Sequence, residues 1–176
     1  MRLSELLGGP TKKVNQKEKQ SIFDDLLTRS RGRLAAVAGA YAYGDADDLL
    51  QEILLQIWRS LSTFKGDSSI DTWSYRVALN TALTWRRSQS RRRKNIPSEA
   101  SNLNELPVAA DGHDSANLLD QFLKALSKSD RALVLLYLDD QSGKEMAEIT
   151  GLTEGAIRVR VHRIKQKLAD WKVGDQ

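Results

Sequence analysis

Apolar residues recur at three- and four-residue spacings through most of the chain, and alternating β-branched runs are few, so the pattern predicts helices rather than a sheet. The spacing predicts one helix over Lys17 to Ala42, a second over Asp45 to Leu61 and a third from Ser69 to about Arg93. Gly44 and the Lys65-Gly66-Asp67 turn divide them, with Ser68 or Ser69 as the N-cap of the third. A second helical block begins near Ser115, with helices to Leu126 and from Asp130 to Leu138 followed by two short ones. Between the blocks, Asn95 to Asn117 carries Pro97 and Pro107 among Ser, Asn, Asp and Gly but shows no helical stripe, and reads as a flexible linker. The expected fold class is therefore all-α, with two small helical domains over residues 17–94 and 118–176, a linker over 95–117 and a leader over 1–16.

Charge sharpens that boundary. Arg86, Arg87, Arg91, Arg92, Arg93 and Lys94 close the first block, whereas Glu99, Glu105, Asp111 and Asp114 follow with no Lys or Arg among them. The formal net charge is +4, which suits a polyanionic partner. Cysteine is absent, which excludes disulfides, thiolate zinc sites and cysteine nucleophiles. Met1 to Pro10 lacks a signal peptide's apolar core, and no run approaches the roughly 20 apolar residues of a membrane span, so a cytoplasmic location without membrane insertion is expected.

The second block ends in a legible motif. Ser142 precedes Glu145 at capping-box spacing, so a helix starts at Gly143 and runs through Ile149, and Gly151 suits its C-terminal turn. Thr153 caps the next helix, whose Ile157, Val161, Ile164 and Leu168 form one buried stripe. Helix, glycine turn and helix make a helix-turn-helix. The side opposite the stripe carries Gly155, Val159, His162, Arg163 and Gln166, with Arg158 and Arg160 on the flanks. Such a face suits a DNA major groove, where arginine grips a guanine edge and other cations neutralise phosphates. A solvated basic face on an ordinary helical hairpin is the plain alternative, against which the exposed Val159 speaks, since a valine there has use for a thymine methyl or another apolar surface.

In the first block the predicted inward stripe of the second helix is Leu50, Ile53, Leu54, Ile57 and Leu61, with Trp58 at its margin. The opposite side shows Asp48, Gln51, Glu52, Leu55, Gln56 and Arg59. Leu55 set among polar neighbours hints at protein docking. The third helix brings Trp73, Tyr75, Asn80 and Trp85 up to the arginine cluster, a combination that suits phosphates and unpaired bases. Core packing is the simpler role for Trp58 and Trp73.

These residues carry a resemblance. Asp48 to Trp58, then Phe64 to Ser69 and Thr72 to Asn80, resemble region 2 of the extracytoplasmic-function sigma factors, bacterial RNA polymerase specificity factors. Ser142 to Ile149 and Gly155 to Val161 resemble region 4. The likeness covers about Ser21 to Trp171, although Ser74 and Thr84 stand where apolar residues are frequent in the family. It implies a non-catalytic factor without metal or cofactor that binds core RNA polymerase and promoter DNA, with an anti-sigma factor as a further kind of partner. It implies polymerase docking through Asp48, Gln51, Glu52, Leu55 and Arg59. Capture of the −10 element as single strand falls to Phe64, Asn80, Arg86 and Arg87, with Phe64 either walling a base pocket or packing. Recognition of the −35 duplex falls to Arg158, Val159, Arg160, His162 and Arg163. The acidic linker then suits a segment that imitates nucleic-acid charge. Two rivals remain at this point. A stand-alone DNA-binding regulator would use only the helix-turn-helix. A nucleic-acid enzyme would need clustered carboxylates or a histidine site, yet His113 falls in the linker and His162 on the reading face.

Overall fold

The computed structural model describes residues 15–42, 44–95 and 114–174, with side chains for 15–42, 44–85 and 118–171. Seven α-helices are seen among the described residues: α1 (Gln16–Ala42), α2 (Ala46–Ser60), α3 (Ile70–Asn95), α4 (Asp114–Ala125), α5 (Lys128–Leu138), α6 (Gly143–Thr150) and α7 (Glu154–Gly174), with a single 3₁₀ turn at Leu61–Thr63. The leader and most of the linker, residues 1–14 and 96–113, lie outside the described residues.

Helices α1, α2 and α3 all pack on one another. Their shared core holds Leu26, Leu34 and Val37 of α1, Leu49, Ile53 and Ile57 of α2, and Tyr75, Ala78 and Ala82 of α3. The α2 stripe thus centres on Leu49, Ile53 and Ile57, with Leu50 and Leu54 only half-buried. This corrects the stripe expected from the sequence, which omitted Leu49. A two-helix groove against α1 and α3 buries a face rotated by part of a turn from the one that apolar residue types alone suggest. Ser69 caps α3, its Oγ accepting from the Thr72 amide at 3.0 Å. Ser74 is fully buried, and its hydroxyl is satisfied by donating 2.9 Å to the Asp71 carbonyl. Thr84 is exposed and bonds back to the Asn80 carbonyl at 2.8 Å.

The second unit gathers Phe122, Leu123 and Leu126 with Leu133, Leu136, Met146, Ile149, Ile157 and Ile164. Helix α5 starts at Lys128, two residues earlier than the apolar pattern suggests. The reason is Ser127, whose Oγ accepts from the Asp130 amide at 3.1 Å and so caps the first turn.

The two units dock through α1, which meets α4 and α5, and through α3, which meets α6. Arg131 of α5 is 2% exposed. Its guanidinium donates to the carbonyls of Leu123 at 2.7 Å, Lys124 at 3.2 Å and Leu126 at 3.3 Å, and across the interface to Ala40 at 2.9 Å. These carbonyls stand at or just past the C-terminal ends of α4 and α1, where unpaired C=O groups and the helix dipole favour a cation. A buried charge is thereby accommodated between two helix ends. The buried Tyr41 donates 2.7 Å to the Lys128 carbonyl, and Arg33 pairs with Asp139 at 3.1 Å. Beside them the buried Tyr75 phenol is pushed far above the ordinary phenol range, by burial first and then by the charge of Asp139, with Arg33 opposing.

Candidate nucleic-acid interface

The C-terminal motif forms from local signals. Ser142 and Glu145 make both bonds of a capping box: the Ser142 Oγ accepts from the Glu145 amide at 3.2 Å, and the Glu145 carboxylate accepts from the Ser142 amide at 2.8 Å. Those bonds hold the Glu145 carboxyl below its usual range. Gly151 ends α6 at φ 73, a left-handed position that suits glycine, and its amide donates 2.9 Å to the Ala147 carbonyl. Thr153 then caps α7, accepting at Oγ1 from the Ala156 amide at 3.2 Å.

Burying Ile157 and Ile164 turns the other side of α7 outward. Gly155, Arg158, Val159, His162, Arg163 and Gln166 are all exposed, and Val159 at 51% is among the most exposed large apolar residues described. Arg160 is the exception. It is half-buried and leans toward α5, donating 3.3 Å to the Ser129 hydroxyl.

On the first unit a second outward face forms. Asp48, Gln51, Leu55 and Arg59 are exposed on one side of α2, while Glu52 is half-buried and accepts from Gln56 at 2.7 Å. Leu55 is 39% exposed in the middle of that side. On α3, Asn80 is exposed one turn beyond Arg76. Phe64 lies 5.2 Å from the Trp73 ring, so it packs at the base of this face. Trp58 packs edge-on against Phe23 at 5.2 Å. The sequence reading missed Arg76, whose Nε is buried without a hydrogen-bond partner. It shares the α3 side that bears Trp73 and Asn80, at helical spacing. The side chains of Arg86 and Arg87 lie outside the described ones.

The Sigma-70 region 2 family matches residues 26–92, and the Sigma-70 region 4 family matches residues 116–168. The chain is 29% identical over 170 residues to the ECF RNA polymerase sigma-E factor of Escherichia coli K12, with 87% of each chain covered. The chain belongs to the extracytoplasmic-function family of sigma factors. A second sigma-E relative, from Haemophilus influenzae, is 27% identical over 172 residues, with 89% of each covered. Two solved structures share the fold at 22% identity, one of them a sigma factor by name. RpoE in complex with the anti-sigma factor NepR, from Bartonella quintana, gives a TM-score of 0.68 over 88% of this chain and 98% of that one. CnrH in complex with the cytosolic domain of CnrY gives 0.66 over 89% and 91%. The sigma factor's function is promoter-specific initiation of transcription. Among the described residues no helix is long and apolar enough to cross a membrane, and no group of three His, Cys, Asp or Glu could hold a metal ion.

Proposed function

We propose that this sigma factor divides its work between three faces. The side of α2 carrying Asp48, Gln51, Glu52, Leu55 and Arg59 docks on core RNA polymerase. Phe64, Asn80, Arg86 and Arg87 capture the −10 strand as it unpairs. The outward side of α7, with Arg158, Val159, His162 and Arg163 and with Arg160 on its flank toward α5, lies in the major groove at −35. The observation that carries this reading is Val159, exposed on a basic helix face that a complete helix-turn-helix holds clear of its core. Asn80 contacts a base of the −10 strand. Capture of unpaired bases offsets the cost of opening the duplex. The chain does no chemistry itself; polymerase supplies the active site, in the cytoplasm. The domain limits that serve this division are 17–94 and 118–176, joined by 95–117.

Size then demands a rearrangement. Elements at −10 and −35 are about 25 base pairs, or about 85 Å, apart at 3.4 Å per pair, whereas a compact chain of this length has a radius of gyration near ~16 Å. The closed arrangement held by Arg131, Tyr41 and Arg33 therefore opens when both elements are engaged. One of the two solved structures pairs a sigma factor with an anti-sigma factor; we extend that class of partner to this chain.

The test separates this reading from a stand-alone regulator. Anisotropy of a labelled duplex pool is measured with the chain alone and with core polymerase, alongside Leu55→Asp. Sequence-selective binding that needs polymerase and fails in Leu55→Asp supports the proposal. Equal selectivity from the chain alone, unaffected at Leu55, overturns it in favour of the regulator.

A further inference from the structure

Between α7 and the start of α5 lies an open cleft of about 210 Å³ that the family function does not account for by itself. Arg160, Arg163 and Lys167 line it from α7, at i, i+3 and i+7, and Ser129 and Asp130 of α5 with its cap Ser127 line it opposite, together with Ile164. Arg160 reaches across to donate 3.3 Å to Ser129 Oγ. Asp130 is the one carboxylate in the lining, and its Oδ2 accepts from the Ser127 hydroxyl at 2.8 Å. Three cations against one engaged carboxylate leave the cleft with a positive excess and room for an anion.

Helix geometry says which anion. Side chains advance about 100° per residue along α7. From the middle of the outward face, near Val159, His162 and Arg163 lie within about 60°, whereas Arg160 and Lys167 lie about 80° to 100° round, on the flank that faces α5. A helix with its side chains is about 10 to 12 Å across and the major groove is about 12 Å wide. A helix seated there presents its outward pole to base edges and its flanks to the phosphate walls. The cleft is on such a flank.

We infer that the cleft between α5 and α7 seats a DNA backbone phosphate, gripped by Arg160 and Lys167 with the Ser129 hydroxyl, while Arg163 bridges between this wall and the bases. The inference rests on the reading that α7 enters the major groove. It moves Arg160 from the base-reading set to the positioning set and adds Lys167, which that set lacked. A phosphate contact carries no sequence information but fixes how deep and at what angle the helix sits. Base discrimination then belongs to Val159 and His162, near the pole.

The test uses the holoenzyme reconstituted from core polymerase and the full chain, on a duplex promoter taken from an in vitro selection and on all its single-base variants in the −35 element. Arg160→Gln and Lys167→Gln should each weaken binding by a similar factor on every variant and flatten the slope of log K against log salt by about 0.9 per lost phosphate contact. Lys167→Arg should keep the slope, and a methylphosphonate at the contacted position should reproduce the Gln variants with the unaltered protein. Val159→Ala should change the preference at one base pair and leave the slope alone. If Arg160→Gln or Lys167→Gln alters the preference at one base pair with an unchanged slope, those side chains read bases and the inference falls. An unchanged slope and affinity in both Gln variants also overturns it, while a Val159→Ala effect would leave the groove reading standing. No response from Val159 as well would overturn the groove reading itself.

Discussion

Arg131→Met tests how the two helical units are held together. Methionine keeps the apolar stem of the side chain and removes the guanidinium. The bonds to Leu123 at 2.7 Å and Ala40 at 2.9 Å are short and charge-assisted, and such bonds contribute about 1.5 to 3 kcal/mol each. Those to Lys124 and Leu126, at 3.2 and 3.3 Å, add less. Against this, the variant no longer keeps a cation at a site only 2% exposed, which returns part of the loss. The net expectation is about 3 kcal/mol, of which roughly a third to a half belongs to the Ala40 bond and so to docking between the units. With a urea m-value of about 2 kcal/mol per molar, the unfolding midpoint falls by about 1.5 M. Arg131→Lys should lose about half as much, because a point charge reaches fewer carbonyls than a planar fork. The assay is urea unfolding followed by far-ultraviolet circular dichroism, with hydrogen exchange in α1 and α5 reporting on docking. A midpoint shift below about 0.3 M would refute the idea that Arg131 joins the two helix ends.

Other expectations are smaller in scale. Leu55→Asp should leave stability within about 0.5 kcal/mol, as its exposure allows, while abolishing association with core polymerase in size-exclusion chromatography. Ser142→Ala removes half of the capping box and should cost about 1 kcal/mol in thermal unfolding. Because the fold lowers the Glu145 pKa, its share of stability is present above the unfolded value and lost as pH falls through the lower folded one, so wild type and Glu145→Gln should converge in stability only in acid. Tyr75 has the opposite sign: its raised pKa contributes stability that is full below the ordinary phenol value of about 10 and is lost as pH rises beyond it. Tyr75→Phe should therefore remove part of the alkaline sensitivity of unfolding, and a Tyr75 that ionised near pH 10 in the native protein would contradict its burial.

The features legible in the sequence are those written by short-range physics. Ser142 and Glu145, Gly151 and Thr153 each satisfy or end a helix within four residues, so their types at those spacings define the turn before any tertiary contact forms. The outward side of α7 follows from the period of Ile157 and Ile164. Arg131 is the opposite case. Following Lys128, Ser129 and Asp130 at the polar start of α5, it has the pattern of a solvated cation, and only the meeting of the α4 and α1 ends makes it buried. The Leu49 face of α2 was hidden for a related reason: Leu49 and Leu50 are the same residue type, and the groove between α1 and α3 chooses between them. The phosphate cleft was out of reach because Arg160 and Ser129 are 31 residues apart and meet only through the packing of α5 on α7.

Whether this chain confers promoter choice on polymerase is read out by reconstituted transcription. Purified chain and core RNA polymerase are mixed with templates carrying a randomised upstream region, and transcripts are sequenced to recover the templates that initiated. Initiation that requires the chain, from templates sharing one short motif near −35 and another near −10 at a fixed spacing, is the predicted result. Initiation without such motifs, or none above the level of core polymerase alone, would mean that the chain does not select promoters.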